Sequence, residues 1–256
     1  MQGFFVQDIK RSFYNKGFAI GFIMVTGILL RVVLFESNLR GTRSSYDTVL
    51  NFTATSGFGV FAGIFPALAY ASNFCEEYQS GYIRMIFSRM KPMKFGILRM
   101  ISVALSGGIM LAIPLGISFI IALNCGIPGI PKGCDKGILD GSEMLVYLEK
   151  YGDWSIVVGR VLLAFLFGCA WAVVGLAFAV WISNRYVALI APFALYEFLW
   201  MALYNVPILN PIWLLRGAAC NVGVYTYPIC MAVLCVYLLL AALIAGIGIK
   251  RRFQNE

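Results

Sequence analysis

The sequence has no histidine, and only 12 of its 256 residues are acidic. Histidine is the usual general base of enzymes and a very common metal ligand, so its absence argues against acid–base catalysis and against transition-metal sites. The 7 cysteines form no CxxC pair, which removes another common basis for a zinc site. We therefore predict that the chain is not an enzyme and holds no metal or cofactor of its own.

Charged residues are also scarce, at 12% of the chain, whereas hydrophobic residues make up 61%. About a quarter of the residues of a soluble domain are charged, so this composition is typical of an integral membrane protein. A helix needs about 20 apolar residues to cross the hydrocarbon core of a bilayer. Segments of about that length run from Gly17 to Phe35, Ser56 to Cys75, Ile97 to Leu123, Trp154 to Ile182, Val187 to Tyr204 and Pro228 to Ile249.

Unbroken apolar runs such as VLLAFLFGCAWAVVGLAFAVWI do not alternate in the way that strands of a membrane barrel do. We therefore predict an all-α membrane protein with six transmembrane helices, forming one transmembrane domain over residues 1–256.

Basic residues are denser on one side of these spans. With the N-terminus inside, the inner segments hold twelve of the 20 Lys and Arg residues, and the longer outer loops hold six. The inner residues are Lys10, Arg11, Lys16, Arg84, Arg89, Lys91, Lys94, Arg99, Arg185, Lys250, Arg251 and Arg252. The positive-inside rule then places both termini in the cytoplasm. The basic balance indicates contact with the anionic inner leaflet of the lipid bilayer and not with nucleic acid.

Two segments outside the spans carry local patterns. Residues 1–16 place Phe5, Ile9 and Phe13 on one helical stripe, with Asp8 off that stripe, which predicts an N-terminal helix lying in the inner interface. Between the fifth and sixth spans, NVPILNPIWLLRGAACNVGVYTYP is too apolar for an ordinary loop and too interrupted by proline and glycine for a full crossing. It predicts two short re-entrant or interfacial outer helices.

Cys125 and Cys134 share the second outer loop. They are candidates for a disulfide if the exterior is oxidising, although spacing does not establish the geometry that a disulfide needs. Whether this disulfide forms is left open by the sequence.

The stretch SNFCEEYQSGYIRMIFSRMKPMKFGILRM, residues 72–100, separates the second and third spans. It places Ile83, Ile86, Phe87 and Met90 on one helical face, and polar residues on the other. Pro92 ends or kinks the helix before the third span. We predict an amphipathic cytoplasmic helix of about four turns here.

This stretch resembles the corresponding segment of the ABC-2 type permeases, the membrane subunits of a class of ATP-driven exporters. The resemblance is carried by Glu77-Tyr78-Gln79-Ser80-Gly81, then an amphipathic run, then Lys91, Pro92, Lys94 and Arg99. It departs at Tyr82, where threonine is usual in the family, and at Met93, where serine is common. It implies a coupling helix that docks on an ATPase. The residues it places there are Glu76, Glu77, Tyr78, Gly81, Arg84, Met85, Phe87 and Arg89.

The resemblance also implies partners and location. Two copies of an ABC ATPase subunit would bind ATP and Mg, since no GxxxxGK[ST] phosphate-binding loop occurs in this sequence. A second permease subunit, as a homodimer or a heterodimer, would complete the path for cargo. The expected location is the bacterial plasma membrane, with multiple passes. The expected cargo is an amphipathic or antimicrobial peptide, or a drug-like hydrophobic compound.

Three ionisable residues, Arg31, Arg160 and Glu197, fall within predicted spans. Charges in lipid are costly unless they are paired or face a water-filled cavity, so we predict that Glu197 pairs with Arg160 or Arg31. The pair either fixes helix packing or lines the translocation path together with Tyr196 and Trp200. The alternative to an exporter is an ATP-independent secondary transporter or channel that uses Glu197.

Overall fold

The computed structural model describes residues 2–36, 56–88, 90–125, 153–217 and 226–254, and all regular secondary structure in these ranges is helical. This confirms the all-α prediction. The helices are α1 (Gln2–Phe13), α2 (Lys16–Glu36), α3 (Phe58–Phe61), α4 (Ile64–Tyr70), α5 (Asn73–Gln79), α6 (Tyr82–Phe87), α7 (Pro92–Cys125), α8 (Asp153–Ile182), α9 (Arg185–Ala202), α10 (Pro211–Arg216) and α11 (Thr226–Gln254).

Within the described ranges, five helices are long and apolar enough to cross a membrane, namely α2, α7, α8, α9 and α11. They coincide with five of the six predicted spans. The chain therefore has the character of a multi-pass membrane protein.

The remaining predicted span, Ser56 to Cys75, is not one continuous helix, so the prediction of six spans is not confirmed. It is divided into α3, α4 and the start of α5. Pro66 lacks an N–H group and its ring crowds the carbonyl of Ala62, which accounts for the break between α3 and α4. Ala62 and Gly63 nevertheless keep right-handed helical dihedral angles, so the segment is an interrupted helix and not a loop.

Helix α8 is the centre of the bundle and packs most extensively against α7 and α11. Helices α7 and α8 come into close backbone contact where Gly107 faces Gly168. A Cβ atom added at Gly107 would overlap the side chain of Ala172 and the carbonyl of Gly168. Small residues allow this backbone contact, which membrane helices use because they gain little from the hydrophobic effect against lipid.

One end of the bundle, which we call the basic end, gathers α1, α5, α6, the turn between α8 and α9, and the end of α11. The side-chain contacts that join these segments are Arg11 with Tyr82, Gln79 with Ser183, Glu76 with Arg185, and Arg252 with Val180. These are the segments that the positive-inside count assigns to the cytoplasm, so the fold brings together what the charge pattern groups.

The predicted four-turn amphipathic helix is two short helices, α5 and α6, and that prediction is wrong. The chain breaks at Ser80 and Gly81, where Gly81 has a φ of 73°. This left-handed conformation suits glycine and ends α5. Pro92 is the first residue of α7, a position where its missing N–H costs nothing. The predicted apolar face holds at Ile83, which is buried.

Some predicted features lie outside the described residues. These are Arg89, the disulfide of Cys125 with Cys134, and the second of the two outer helices before the last span; the side chains of Arg84 and Phe87 are likewise not described. The described part of that segment contains one short helix, α10, which Asn210 caps by accepting a hydrogen bond from the N–H of Ile212 at 3.1 Å.

Candidate functional site at the basic end

A buried ionic cluster lies beneath α5. Arg99, on α7, is only 1% exposed, and its Nη1 lies 2.6 Å from Oδ1 of Asp8 on α1. Its Nη2 lies 3.0 Å from Oε2 of Glu77 on α5. One guanidinium therefore bridges two acids that belong to different helices. We call Asp8, Tyr70, Glu77 and Arg99 the Arg99 cluster.

Tyr70 completes the cluster from α4. Its hydroxyl donates a hydrogen bond of 2.8 Å to Oδ1 of Asp8 and accepts one of 2.7 Å from Nη1 of Arg99. The guanidinium carbon also lies 4.2 Å from the centroid of the tyrosine ring, within the range of a cation–π contact. Four helices, α1, α4, α5 and α7, are thus held at one point.

Electrostatic effects on Glu77 oppose one another. Burial raises the pKa of Glu77 above its ordinary value, whereas the guanidiniums of Arg99 and, more weakly, Arg11 act to lower it. Arg11, on α1, donates a 3.2 Å hydrogen bond to the hydroxyl of Tyr82 on α6. This bond raises the pKa of Arg11, so it stays charged. Helix α1 therefore contacts α6 directly and is joined to α5 through Arg99.

Two members of this cluster make contacts that the sequence did not predict. Asp8 was expected to face away from the buried stripe of α1, but it is 3% exposed and faces the protein. Glu77 was expected to dock on an ATPase, but its carboxylate faces inward to Arg99. The available signal was Arg99 itself, a charge inside a long apolar helix that demands a partner. That partner, Asp8, is 91 residues away in the chain.

The exposed surface of the basic end differs from the buried Arg99 cluster. Glu76 is exposed and forms an ion pair of 2.5 Å with Arg185, also exposed. Large apolar side chains are also exposed on α6, at the start of α7 and just after α1, with Met85 at 61%, Met93 at 79% and Tyr14 at 89%. Exposed apolar patches of this kind are typical of surfaces that contact a protein partner or membrane lipid.

Tyr78 and Gly81 also have structural roles. The ring of Tyr78 lies under the guanidinium of Arg252, 4.6 Å from its centroid, and so faces α11. Gly81 forms the hinge between α5 and α6. Of the predicted coupling residues whose side chains are described, Glu76 and Met85 are the ones available to a partner.

The predicted intramembrane ion pair is not formed, and that prediction is wrong. No ion pair joins Glu197 to Arg160 or Arg31 in the described part of the chain. Arg160 is buried, and its Nη1 donates a 3.2 Å hydrogen bond to the carbonyl of Leu215. That carbonyl lies in the last turn of α10, where carbonyls lack helical partners and a cation is favoured.

Glu197 has a buried Oε1 atom with no hydrogen-bond partner among the described residues. Its neighbour Tyr196 takes the inward position on α9, where it is fully buried. The Tyr196 hydroxyl donates to the carbonyl of Gly59, and its ring meets Phe167 and Trp171 edge to face, with centroids 6.0 and 5.4 Å away. Tyr196 therefore belongs to the hydrophobic core of the chain.

Trp200 is partly buried, and its carbonyl accepts a 3.1 Å hydrogen bond from Nδ2 of Asn210. The amide of Asn210 in this way ties the end of α9 to the start of α10. Trp200 therefore contributes to the packing at the junction of α9 and α10.

Comparison of the chain with protein families, with curated proteins and with solved structures gives no match.

Proposed function

We propose that this chain is the membrane-spanning subunit of an ATP-driven exporter of the ABC-2 type, working with ATPase subunits that bind at its basic end. The observation that carries the proposal is the construction of α5 and α6. Their inner side is fixed to the bundle by the Glu77–Arg99 ion pair, while their outer side presents Glu76 and Met85. A segment that transmits motion from an ATPase to the membrane helices needs both an exposed surface for the ATPase and a fixed attachment to the bundle.

The attachment reaches more than one membrane helix. Glu77 connects α5 to α7 through Arg99, and Gln79 donates a 3.2 Å hydrogen bond to the carbonyl of Ser183 between α8 and α9. A displacement of α5 by a bound ATPase would therefore move the inner ends of several spans together. Packed helices respond to such a push by shifting as rigid bodies.

A second permease subunit belongs to the proposal. Of the five candidate spans, α2, α9 and α11 have the smallest share of residues buried inside the bundle. Helices α2 and α9 expose large apolar residues such as Ile23 and Phe198. In a homodimer these faces would lie against the partner or line the path. The proposed cargo, an amphipathic or antimicrobial peptide or a hydrophobic drug, and the proposed bacterial plasma membrane both rest on the sequence resemblance.

The test is recovery of an ATPase through the exposed face of α6. The tagged chain is isolated in mild detergent from the membranes in which it occurs, and ATP hydrolysis is measured in the purified fraction. We expect activity with the wild type and a loss of about tenfold or more with Met85→Glu, the size of effect typical of a central interface residue. Ile208→Glu, which alters an exposed apolar residue at the opposite end, should keep the activity.

The exporter proposal fails if the wild type recovers no ATP hydrolysis, or if Met85→Glu recovers as much as the wild type while unfolding at the same temperature. Size-exclusion profiles of both variants must match that of the wild type, so that loss of activity reports docking.

The unpartnered carboxylate oxygen of Glu197 favours one alternative, an ATP-independent secondary transporter or channel. Unpaired acids within membrane helices are common sites of ion or proton passage. That alternative predicts that transport in vesicles without any ATPase is abolished by Glu197→Gln. The exporter proposal predicts no transport under those conditions with either protein.

A further inference from the structure

An apolar groove lies between α8, α9 and α11. It encloses about 390 Å³, within the range of about 300–1,000 Å³ usual for small-molecule sites. Its lining includes Trp171, Phe178, Trp181, Leu195 and Leu240, and it presents almost no polar surface. Such a groove suits a hydrocarbon chain.

The groove ends at a basic pocket. Trp181 lines both the groove and a second cavity of about 300 Å³, which is also lined by Arg251 and Arg252 at the end of α11. The guanidinium carbon of Arg251 lies 5.5 Å from the centroid of the Trp181 ring. A continuous surface therefore passes from two arginines, across one indole, into an apolar channel.

Arg252 is held in place but retains free donors. Its Nε donates to the carbonyl of Val180 at 2.9 Å, and its Nη2 donates to the carbonyl of Trp181 at 3.0 Å. These carbonyls belong to the last turn of α8, where no helical N–H is available. A guanidinium has five N–H donors in a fixed plane, so about three remain for an anion.

The helix crossing fixes the position of Trp181. Its indole N–H donates a 3.1 Å hydrogen bond to the carbonyl of Ile244 on α11. A Cβ atom at Gly248 would lie only 2.8 Å from that indole nitrogen and 2.7 Å from Cγ1 of Val180. The absence of a side chain at Gly248 therefore lets α11 approach α8 and leaves the indole between groove and basic pocket.

The length of the groove matches one leaflet of a bilayer. Ten residues of α8 separate Trp171 from Trp181, which corresponds to about 15 Å at 1.5 Å per residue. Half of the hydrocarbon core is also about 15 Å. With the arginines at the level of the headgroups, the groove extends to about the middle of the membrane.

We propose that this groove binds one anionic phospholipid of the inner leaflet. Its phosphate lies between Arg251 and the free N–H groups of Arg252, and one acyl chain passes Trp181 into the groove. Neither lining set contains an acidic residue, and two arginines at the entrance favour an anion over a cationic peptide. Basic pockets between membrane helices on the cytoplasmic side recognise anionic headgroups in this way. The inference does not depend on the proposed exporter function.

The test uses quenching of tryptophan fluorescence by brominated lipid. The full chain is reconstituted into phosphatidylcholine vesicles that contain increasing fractions of brominated phosphatidylglycerol or, in parallel, brominated phosphatidylcholine. The signal of Trp181 is obtained as the difference from Trp181→Phe. We expect half-quenching by brominated phosphatidylglycerol at a mole fraction about fivefold lower than by brominated phosphatidylcholine, the preference that one basic residue at an anionic surface provides. Arg251→Gln should remove most of that preference.

Lys250→Gln is the matched control, because it removes the same charge from the same turn of α11 but lines a different groove, between α7 and α11. It should keep the preference at Trp181. Equal quenching by the two lipids overturns the proposal. An equal loss in Lys250→Gln and Arg251→Gln also overturns it, since general surface potential would then suffice. Protection of Trp181 from both lipids overturns it in favour of a second protein chain covering the groove.

Discussion

Arg99 and Tyr196 are both buried, but their polar groups make contacts of opposite kinds. Arg99 is matched by two acids, Asp8 and Glu77, from two other helices. Tyr196 is neutral, donates one hydrogen bond to the carbonyl of Gly59, and is otherwise packed by aromatic rings. Ion pairs between side chains therefore hold the helices together at the basic end, whereas close packing of aromatic rings holds them together in the interior.

This difference has energetic consequences. Removing one member of a buried ion pair leaves an uncompensated charge and costs about 3–5 kcal/mol. Loss of one neutral hydrogen bond costs about 1 kcal/mol. The ionic cluster should thus be the most sensitive point of the fold, although it lies at the end of the bundle and not at its centre.

The largest expected effect comes from Arg99→Ala. It removes the guanidinium that Asp8 and Glu77 both contact, so the free energy of unfolding should fall by about 3–5 kcal/mol. Denaturant titration in detergent micelles, followed by circular dichroism, measures this change. Lys94→Ala removes an exposed charge from the same helix and should change stability by less than about 0.5 kcal/mol. A cost below about 1 kcal/mol for Arg99→Ala would contradict the description of the cluster as a tight ionic joint.

A smaller effect is expected where packing dominates. Gly168→Ala places a methyl group against the backbone of Gly107, and overpacking of this kind costs about 1–3 kcal/mol. Gly246 on α11 has open space around its Cα, so Gly246→Ala should be neutral or stabilising by up to about 1 kcal/mol. Thermal unfolding of the two variants tests the contrast. Equal behaviour would mean that α7 and α8 are not in backbone contact at Gly107.

Tyr196→Phe should have a smaller effect still. The ring and its aromatic contacts remain, and the carbonyl of Gly59 loses one donor, so a loss of about 1 kcal/mol is expected. Tyr204→Phe removes a hydroxyl from an exposed tyrosine on the outer side and should have no measurable effect. The same unfolding titration compares them. A loss as large as that of Arg99→Ala would contradict the contrast between ionic and neutral joints.

The long spans could be predicted from the sequence because a run of about 20 consecutive apolar residues is typical of a membrane-spanning helix. The break between α5 and α6 could not, because glycine is permissive and only the tertiary fold makes Gly81 adopt a left-handed conformation. The interruption near Ala62 had a local signal in Pro66, but the continuous hydrophobicity of the segment masked it.

The buried cluster was predicted only in part. A periodic pattern assumes that charged residues face water, so it placed Asp8 on the outer side of α1. Partners that are 91 residues apart share no local pattern, so the Asp8–Arg99 pair could not be read from spacing. The energetic cost of an unpaired charge in a membrane helix correctly drew attention to Glu197. The predicted pairing with Arg160 does not form, because Arg160 donates its hydrogen bond to the carbonyl of Leu215.

The smallest expected effect concerns the pH dependence of stability. It tests whether burial or the ion pair with Arg99 determines the direction in which the pKa of Glu77 shifts. Burial raises the pKa of Glu77 above its ordinary value of 4.5, despite the opposing effect of Arg99. The folded protein then holds this proton more tightly than the unfolded chain. Its contribution to stability is therefore present below pH 4.5 and is lost as the pH rises through the folded pKa.

Glu77→Gln isolates this contribution, because the difference in unfolding free energy between wild type and variant cancels most other titrating groups. We expect the wild type to lose stability relative to Glu77→Gln as the pH rises from about 4 to about 7, measured by denaturant titration at each pH. A difference that instead grows with pH would show that the ion pair with Arg99 outweighs burial. In that case the inner attachment of α5 would be stronger at neutral pH than the burial of Glu77 suggests, and the cluster would hold α5 to α7 most firmly near neutral pH.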